Sequence, residues 1–217
     1  MPNATLPSLS LVDEYLPTYD ISDAVATIVS ADAATTWNAL MELDLIEVGH
    51  KRPVVAVLGA VRALPDLIDQ LLRGEKPIPP PRPMRLRDTT AIRLGEGGWV
   101  LLGERPNDEI ALGLVGKFWR PVIKFANVSA GEFRNFSEPG YAKTIYSLSV
   151  RALDARRTLL SAVMRTATTD EVARRWFRRY WTFGVGSGAH LLVQAVVDLA
   201  RVDAERRHVC RSRFQSR

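Results

Sequence analysis

The glycine-rich stretch at 184–189 is the first place in this 217-residue chain where residue types and spacing suggest chemistry. Its residues, Gly-Val-Gly-Ser-Gly-Ala, have the spacing of a dinucleotide-binding fingerprint, and a helical pattern follows them. However, an amphipathic helical pattern precedes them where a strand is needed, and no second βα unit with a ribose-binding acid follows. Ser187 does not fit a nucleophile elbow, because Val185 stands where glycine is required. We therefore expect no nicotinamide or nucleotide cofactor and interpret the glycines as a kink in a helix.

The titratable residues show no metal-ligand spacing and no catalytic set. The three histidines are scattered between a loop, the polar stripe of the C-terminal helical pattern and the tail, at His50, His190 and His208. We therefore expect no metal centre, and we interpret His190 as part of a solvated helix face. One group of acidic residues falls at a predicted hairpin end, where turns commonly carry charge: Glu104, Asp108 and Glu109. Catalytic residues are not identified by the sequence.

Large side chains on predicted strands and on the C-terminal helix could line a cavity for an apolar ligand. The candidates are Trp119, Tyr146, Leu148, Leu160, Met164, Trp176, Tyr180 and Trp181. Leu160 and Met164 alternate with charged neighbours, so we expect them to face inward, opposite the Trp176 and Tyr180 side of the helix. For any single ring, plain core packing is the more common explanation. Polar residues among them that could orient a ligand are Arg93, Lys117, Thr144 and Tyr146.

The C-terminal pattern from Thr168 to Arg207 predicts the long helix that would position these side chains. Thr168 and Glu171 have the spacing of a capping box at its start. At 100° per residue, one half of the helix surface is apolar and the other is rich in arginine. The apolar half contains Val172, Ala173, Trp176, Phe177, Tyr180, Trp181 and Phe183. A helix this apolar requires a large concave partner.

Strand patterns before this helix supply that partner. A strand is predicted at about 24–30, followed by a helix that Ser30 or Asp32 caps and a second helical region at about 53–72. A proline-rich connector follows at 75–84. Further strands are predicted at 86–94, 98–105, 109–119, 143–152 and 157–167, with a short one near 121–127, and a capping box at Ser129 opens a short helix. The fold class is therefore α+β: a curved antiparallel sheet of six or seven strands gripping a long C-terminal helix, with two short helices after the first strand.

Composition and charge place few limits on partners. The formal net charge is +5, but six arginines lie in residues 201–217, so the charge is concentrated at the C-terminus. That tail could touch an anionic membrane surface weakly, and we expect no nucleic-acid binding. Cys210 is the single cysteine, and we find neither a signal-peptide pattern nor a membrane span, so the expected location is the cytoplasm. We divide the chain into an extended arm at 1–19, one domain at 20–207 and a basic flexible tail at 208–217.

Several stretches, together with the order of elements, resemble the START-like superfamily, also called SRPBCC or helix-grip proteins. They are Ile28–Ala33 with Trp37–Leu40, Phe118–Pro121, Pro139–Lys143 and Thr169–Gly188. They look like a small bacterial branch of polyketide cyclase-like or lipid-transport-like proteins. The resemblance implies a curved antiparallel sheet around the C-terminal helix, with an apolar cavity between them. The superfamily includes lipid carriers, aromatase/cyclases, hormone receptors and co-chaperones, so it implies a pocket more than a reaction.

Three hypotheses follow. The first is a binding or carrier protein that encloses a small hydrophobic or amphipathic molecule. The second is a cyclase or aromatase-like enzyme that uses a cavity tyrosine or arginine for proton transfer. The third is an interaction module whose cavity is filled by its own side chains. A mostly apolar cavity favours the carrier, whereas several coupled ionisable groups favour the enzyme.

Overall fold

The computed structural model describes residues 9–47, 72–74, 83–91, 93–94 and 97–215. The strands among these residues are β1 (Ile21–Val29), β2 (Arg93–Leu94), β3 (Gly97–Gly98), β4 (Val100–Arg105), β5 (Glu109–Gly116), β6 (Ala142–Ala152) and β7 (Thr158–Thr168). The α-helices are α1 (Leu11–Tyr15), α2 (Ala33–Glu42), α3 (Ala130–Asn135), α4 (Glu171–Tyr180) and α5 (Gly186–Gln215). The predicted helix at 53–72 and most of the proline-rich connector lie outside the described residues.

Five strands form one antiparallel sheet in the order β1-β7-β6-β5-β4, and it packs against the long C-terminal helical region. The predicted fold class is confirmed at this level. The main sheet has fewer strands than expected because residues Leu86–Ala91 form a 3₁₀-helix, leaving β2 to pair with β3 alone. The Thr89 hydroxyl donates to the Leu86 carbonyl there, a local bond that favours a turn over a strand. Residues 121–127 contribute an isolated bridge between Gly116 and Phe125.

The main core lies between the sheet and helices α2 and α5. Alternation along the strands places the odd-numbered residues of β1 and the even-numbered residues of β5, β6 and β7 on this helix-facing side. The core it builds includes Val29, Trp37, Leu40, Ile110, Leu148, Leu160, Val197 and Ala200. Asp32 caps α2 by accepting a hydrogen bond from the Thr35 amide at 2.9 Å, as one of the two predicted caps.

The opposite side of the sheet is also covered by helices, which the sequence pattern did not predict. Residues Leu11–Tyr15, predicted as part of an extended arm, form α1, and Leu11, Val12 and Leu16 are buried. They pack with Phe133 of α3 and with Ile145 of β6 in a second core. A five-residue helix has no measurable periodicity in sequence, and its stability comes from tertiary packing. The side of β6 and β7 that faces away from the main core is therefore partly a buried layer.

Glu109 fastens α1 to the sheet and is not the exposed turn charge that the sequence suggested. It is 4% exposed. Its carboxylate accepts hydrogen bonds from the Leu11 amide (2.9 Å), the Ser10 hydroxyl (3.0 Å) and the Ser147 hydroxyl (2.5 Å). Arg105 lies 3.5 Å from the same carboxylate. The three donors and the guanidinium together compensate the loss of water around the buried charge.

Gly113 lets α3 approach the second side of the sheet closely. A Cβ atom at this position would lie 2.8 Å from the Phe133 ring and 3.0 Å from Leu102. Glycine in a strand permits either a bend of the sheet or the close approach of another group. At Gly113 the approaching group is a side chain of the protein itself.

The start of the C-terminal helical region differs from the predicted capping box. Asp170, and not Thr168, is the N-cap of α4, and its carboxylate accepts hydrogen bonds from the Ala173 amide (2.8 Å) and from the Gly140 amide. These amide bonds lower the pKa of Asp170. Thr168 ends β7 and instead donates to Asp20 through its amide (2.8 Å) and hydroxyl (2.6 Å).

A π-helical turn at Trp181–Val185 joins α4 to α5, where the glycines predicted a kink. The two parts, Glu171–Phe183 and Gly186–Arg211, are bent by 68° relative to each other. Gly186 is in contact with Trp181: a Cβ atom there would lie 2.7 Å from the indole. No single described helix is long and apolar enough to cross a membrane, and the bent pair reaches that length and composition only when both parts are combined.

Candidate functional site

A band of polar residues crosses the helix-facing side of the sheet between two apolar clusters. In one row, Asp23 of β1 pairs with Met164 of β7, which pairs with Tyr146 of β6. In the next row, Thr166 of β7 pairs with Thr144 of β6. We call Asp23, Tyr146, Thr144 and Thr166 the polar seam. Such a band interrupts a surface that is otherwise built to be apolar.

The two clusters on either side of the polar seam differ in character. On one side lies the main core, with aliphatic residues such as Leu148 and Ala162. On the other side lies a cluster rich in aromatic rings, which we call the aromatic cluster: Leu114, Phe118, Phe177, Tyr180 and Trp181. Phe177 is 3% exposed and its ring stacks on that of Trp181 with centroids 5.9 Å apart. Trp99 packs against both clusters and therefore lies at their junction.

Tyr146 is the central residue of the polar seam. Its ring meets that of Trp99 edge to face, with centroids 5.5 Å apart. Burial raises the pKa of Tyr146 to about 12, and the nearby Tyr180 and Asp23 add to the increase because their negative charges oppose a phenolate. Its hydroxyl has no hydrogen-bond partner among the described residues. A neutral hydrogen-bond donor is therefore held between the sheet and the helix at physiological pH.

Asp23 and His190 form a hydrogen-bonded contact at the more exposed end of the polar seam. Nδ1 of His190 lies 2.9 Å from Oδ2 and 3.1 Å from Oδ1 of Asp23. The His190 side chain is 46% exposed and the Asp23 side chain is 23% exposed, so this end of the seam is in contact with solvent. His190 lies in the first turns of α5, shortly after the π-helical turn. A carboxylate beside an imidazole can orient the ring and exchange a proton with it.

Thr144 and Thr166 occupy the deeper row of the polar seam. Their hydroxyl oxygens are 2.9 Å apart, and the two residues are 6% and 1% exposed. One hydroxyl donates to the other, so the pair retains one proton that can be donated elsewhere. The deeper row is therefore polar and uncharged, in contrast to the charged residues at the exposed end.

The break in the C-terminal helical region lies over the polar seam. Tyr180 ends α4 and is close enough to Tyr146 to oppose its ionisation, and His190 contacts Asp23 from the other side of the π-helical turn. Such turns occur often at functional sites, because the extra residue interrupts the regular hydrogen-bond ladder. The polar seam, Trp99, the aromatic cluster and His190 together form the candidate site.

The predicted cavity-lining residues are divided between this site and other parts of the fold. Tyr146, Met164, Tyr180 and Trp181 lie at the site, and Met164 is 1% exposed beside Asp23 and Tyr146. Leu148 lies one row away, and Trp119 packs against the aromatic cluster.

Two of the predicted positions do not face the site. Leu160 is completely buried in the main core, two rows from Tyr146. Trp176 is 51% exposed on the outer side of α4, because Ala173 and Phe177 form its buried side. The placement of Trp176 inside the fold was therefore wrong. Lys117 lies over the ring of Tyr141 instead, with its Nζ 4.3 Å from the centroid.

The structure adds residues that the sequence did not assign to the site. They are Asp23, Phe177 and His190. The pairing of Asp23 with His190 had no signal in the sequence, because 167 positions separate the two residues. Phe177 was already on the predicted apolar side of the helix, and its burial distinguishes it from Trp176. Among the described residues no three histidine, cysteine, aspartate or glutamate side chains are grouped to hold a metal ion.

The site and sheet together define a class of architecture: an antiparallel sheet packed against a long C-terminal helix is consistent with the helix-grip fold. No protein-family model matches the sequence, and no curated protein does. Among solved structures, a conserved protein from Geobacillus kaustophilus is similar over 87% of this chain and 97% of its own, at 12% identity and a TM-score of 0.38. The Zhui aromatase/cyclase from Streptomyces sp. R1128 is similar over 86% of this chain and 94% of its own, at 13% identity and a TM-score of 0.26.

Proposed function

We propose that the protein binds a small hydrophobic or amphipathic molecule between the sheet and the C-terminal helical region. The observation that carries this proposal is the Tyr146 hydroxyl, whose pKa is raised to about 12 so that it stays a neutral donor, and which has no partner among the described residues. The Tyr146 side chain is half-buried, so its hydroxyl is free to donate to a bound molecule. A ligand oxygen that accepts a hydrogen bond from Tyr146 would be its partner.

The surroundings of Tyr146 favour an uncharged polar group on an apolar ligand. The seam offers neutral hydroxyls in its deeper row, and Asp23 is already occupied by His190. Rings on both sides, including Trp99 and Phe177, suit a flat or hydrocarbon body. The expected ligand therefore combines a carbonyl or hydroxyl group with a larger apolar part. A carrier role for such a molecule is part of the same proposal.

Native mass spectrometry of gently purified protein tests this proposal first, by detecting a bound small molecule. A panel of apolar ketones, alcohols and matching hydrocarbons is then titrated while indole fluorescence is followed, because Trp99 touches Tyr146. Tyr146→Phe should weaken binding of the oxygen-containing ligands about fivefold, the value of one hydrogen bond of about 1 kcal/mol, and leave the hydrocarbons unchanged. Tyr19→Phe, at an exposed tyrosine, is the matched control.

Two outcomes of these experiments would contradict the proposal. If no ligand perturbs the fluorescence and none co-purifies, the binding proposal fails, and the interaction module is the remaining hypothesis. If ligands bind but Tyr146→Phe discriminates neither class, the polar seam is not the binding site.

A cyclase or aromatase-like enzyme is the second candidate, and the Asp23–His190 contact favours it. An imidazole beside a carboxylate at the exposed end of the site could move a proton to or from a ligand whose oxygen is held by Tyr146. Once a ligand is identified, its conversion is followed by mass spectrometry in the wild type and in His190→Gln. Turnover that disappears in this variant while binding persists supports the enzyme. Binding without any conversion in the wild type supports the carrier.

A further inference from the structure

The outer side of α4 carries an apolar stripe that the core does not use. Ala173 and Phe177 face the sheet and fix the orientation of the helix. On the outer side, Val172 and Trp176 lie one turn apart and are 54% and 51% exposed. Phe183, in the π-helical turn that follows, is 84% exposed. Three large apolar side chains in succession on one surface element differ from scattered exposed residues, which are common on any protein.

Positive charge borders this stripe. The segment Glu171–Phe183 contains four arginines and one glutamate. Arg174 pairs with Asp20 at 2.7 Å and with Glu171, so its charge is compensated. Arg175, Arg178 and Arg179 are exposed and form no ion pair with any residue in the described part of the chain. The guanidinium of Arg179 lies 5.5 Å from the centre of the Trp176 ring.

We propose that α4 and the adjoining π-helical turn are a docking surface for an anionic lipid membrane. Tryptophan is favoured at the boundary between headgroups and acyl chains, and arginines beside it contact anionic headgroups. Amphipathic helices that lie in the membrane plane combine these two features. The side chain that would penetrate furthest is Phe183, and the arginines would remain at the level of the headgroups.

This surface differs from the basic tail at 208–217, for which only a weak membrane contact was expected. The tail offers charge, whereas α4 offers charge together with exposed apolar side chains. A nucleic acid would also attract the arginines but does not explain why Phe183 and Trp176 remain exposed beside them. An acidic protein with its own apolar patch would cover both features, and in that case the wild type does not bind anionic vesicles. The apolar stripe therefore favours a lipid surface over a nucleic acid.

Vesicle sedimentation of the full chain tests the charged part of the proposal. Vesicles of phosphatidylcholine alone are compared with vesicles that also contain phosphatidylglycerol. We expect binding to the anionic vesicles that weakens with salt. Replacing Arg175, Arg178 and Arg179 together by glutamine should lower the partition coefficient about a hundredfold, because each basic residue near such a surface contributes roughly a fivefold factor.

A matched control removes the same charge from the tail, by replacing the three arginines in residues 208–217 with glutamine. This control should retain binding within about fivefold of the wild type. A loss of that size is no more than a single arginine contributes when it lies at the membrane surface. A wild type that does not bind anionic vesicles overturns the proposal. A loss that is as large in the tail variant as in the α4 variant also overturns it, because the attraction would then come from net charge.

Phe183→Ser tests the apolar part while leaving every charge in place. We expect it to weaken vesicle binding about tenfold, from the loss of a buried aromatic side chain. Leu153→Ser, at a loop residue that is 51% exposed, should leave vesicle binding unchanged. The emission of Trp176 should shift to shorter wavelength on binding. If Phe183→Ser binds anionic vesicles as tightly as the wild type, the arginines act as a general polyanion site and the membrane proposal fails.

Discussion

Removing the Tyr146 hydroxyl should change how the stability of the protein depends on alkaline pH. Burial, with the nearby Tyr180 and Asp23, raises the pKa of Tyr146 from 10.0 to about 12 in the folded protein. Below pH 10 the phenol is neutral in both the folded and the unfolded chain, so it contributes no pH dependence. Between the two pKa values the unfolded chain loses this proton and the folded protein keeps it. Stability is therefore lost as the pH rises through this window.

The size of the effect follows from the two pKa values. Linkage gives a loss of about 1.3 kcal/mol between about pH 9 and about pH 11, and of nearly 3 kcal/mol once both states are ionised. Tyr146→Phe has no phenolic proton to lose at this position. Between the same two pH values, its free energy of unfolding should therefore decrease by this much less than that of the wild type. Other groups that ionise above pH 9 contribute equally to both proteins and cancel in the difference.

Urea denaturation at the two pH values measures the free energies, and phenolate absorbance of the folded protein follows the ionisation directly. Tyr19→Phe should retain the slope of the wild type, because it leaves Tyr146 in place. Equal slopes for the wild type and Tyr146→Phe would refute the reasoning. Ionisation of all tyrosines near pH 10 would refute it too, and would mean that water solvates the polar seam in the folded protein.

Three further substitutions test the packing of α1 and α3 on the sheet and the capping of α4. Glu109→Gln should lower stability by about 1.5–3 kcal/mol and accelerate hydrogen exchange in α1, because it weakens charged hydrogen bonds; Glu104→Gln, at an exposed residue of the neighbouring strand, should do neither. Gly113→Ala should cost about 1–3 kcal/mol in thermal or urea denaturation, since its Cβ atom has no room beside α3. Gly131→Ala, in α3 but facing open space, should instead stabilise the protein by roughly 0.5–1 kcal/mol, so the opposite order would contradict the packing. Asp170→Ala should cost about 1 kcal/mol at neutral pH. Because the pKa of Asp170 is lowered by folding, this difference should disappear as the pH falls through the acid range, and a pH-independent difference would argue against the cap.

The sheet was predictable because its strands carry strong local patterns. The strands predicted at 143–152 and 157–167 appear as Ala142–Ala152 and Thr158–Thr168. The strand predicted at 109–119 ends earlier, at Gly116, because Lys117 accepts a turn-forming hydrogen bond from Arg120 and leaves the sheet. The alternation of apolar and polar residues, together with turn residues, is enough to predict that such strands exist. Their exact ends depend on contacts with residues that are distant in the sequence.

The site was less predictable, because it depends on which part of a wide apolar surface turns inward. The predicted apolar half of α4 contained both Trp176 and Phe177, and the sequence could not decide between them. The structure buries Phe177 and leaves Trp176 half exposed. The contact between Asp23 and His190 joins the first strand to the last helix, and neither residue has a neighbour in sequence that indicates the other.

The pairing of β1 with β7 has a consequence for the synthesis of the chain. Ile21 pairs with Thr166, so β1 leaves the ribosome long before its partner strand exists. At about 5–20 residues per second, this delay is roughly 7–30 s, far longer than the microseconds in which a hairpin forms. The strands from β4 to β7 pair with neighbours made shortly before or after them, and they can assemble as soon as they emerge. β1 lies at the edge of the sheet next to β7, so it must remain unpaired during translation and complete the sheet last.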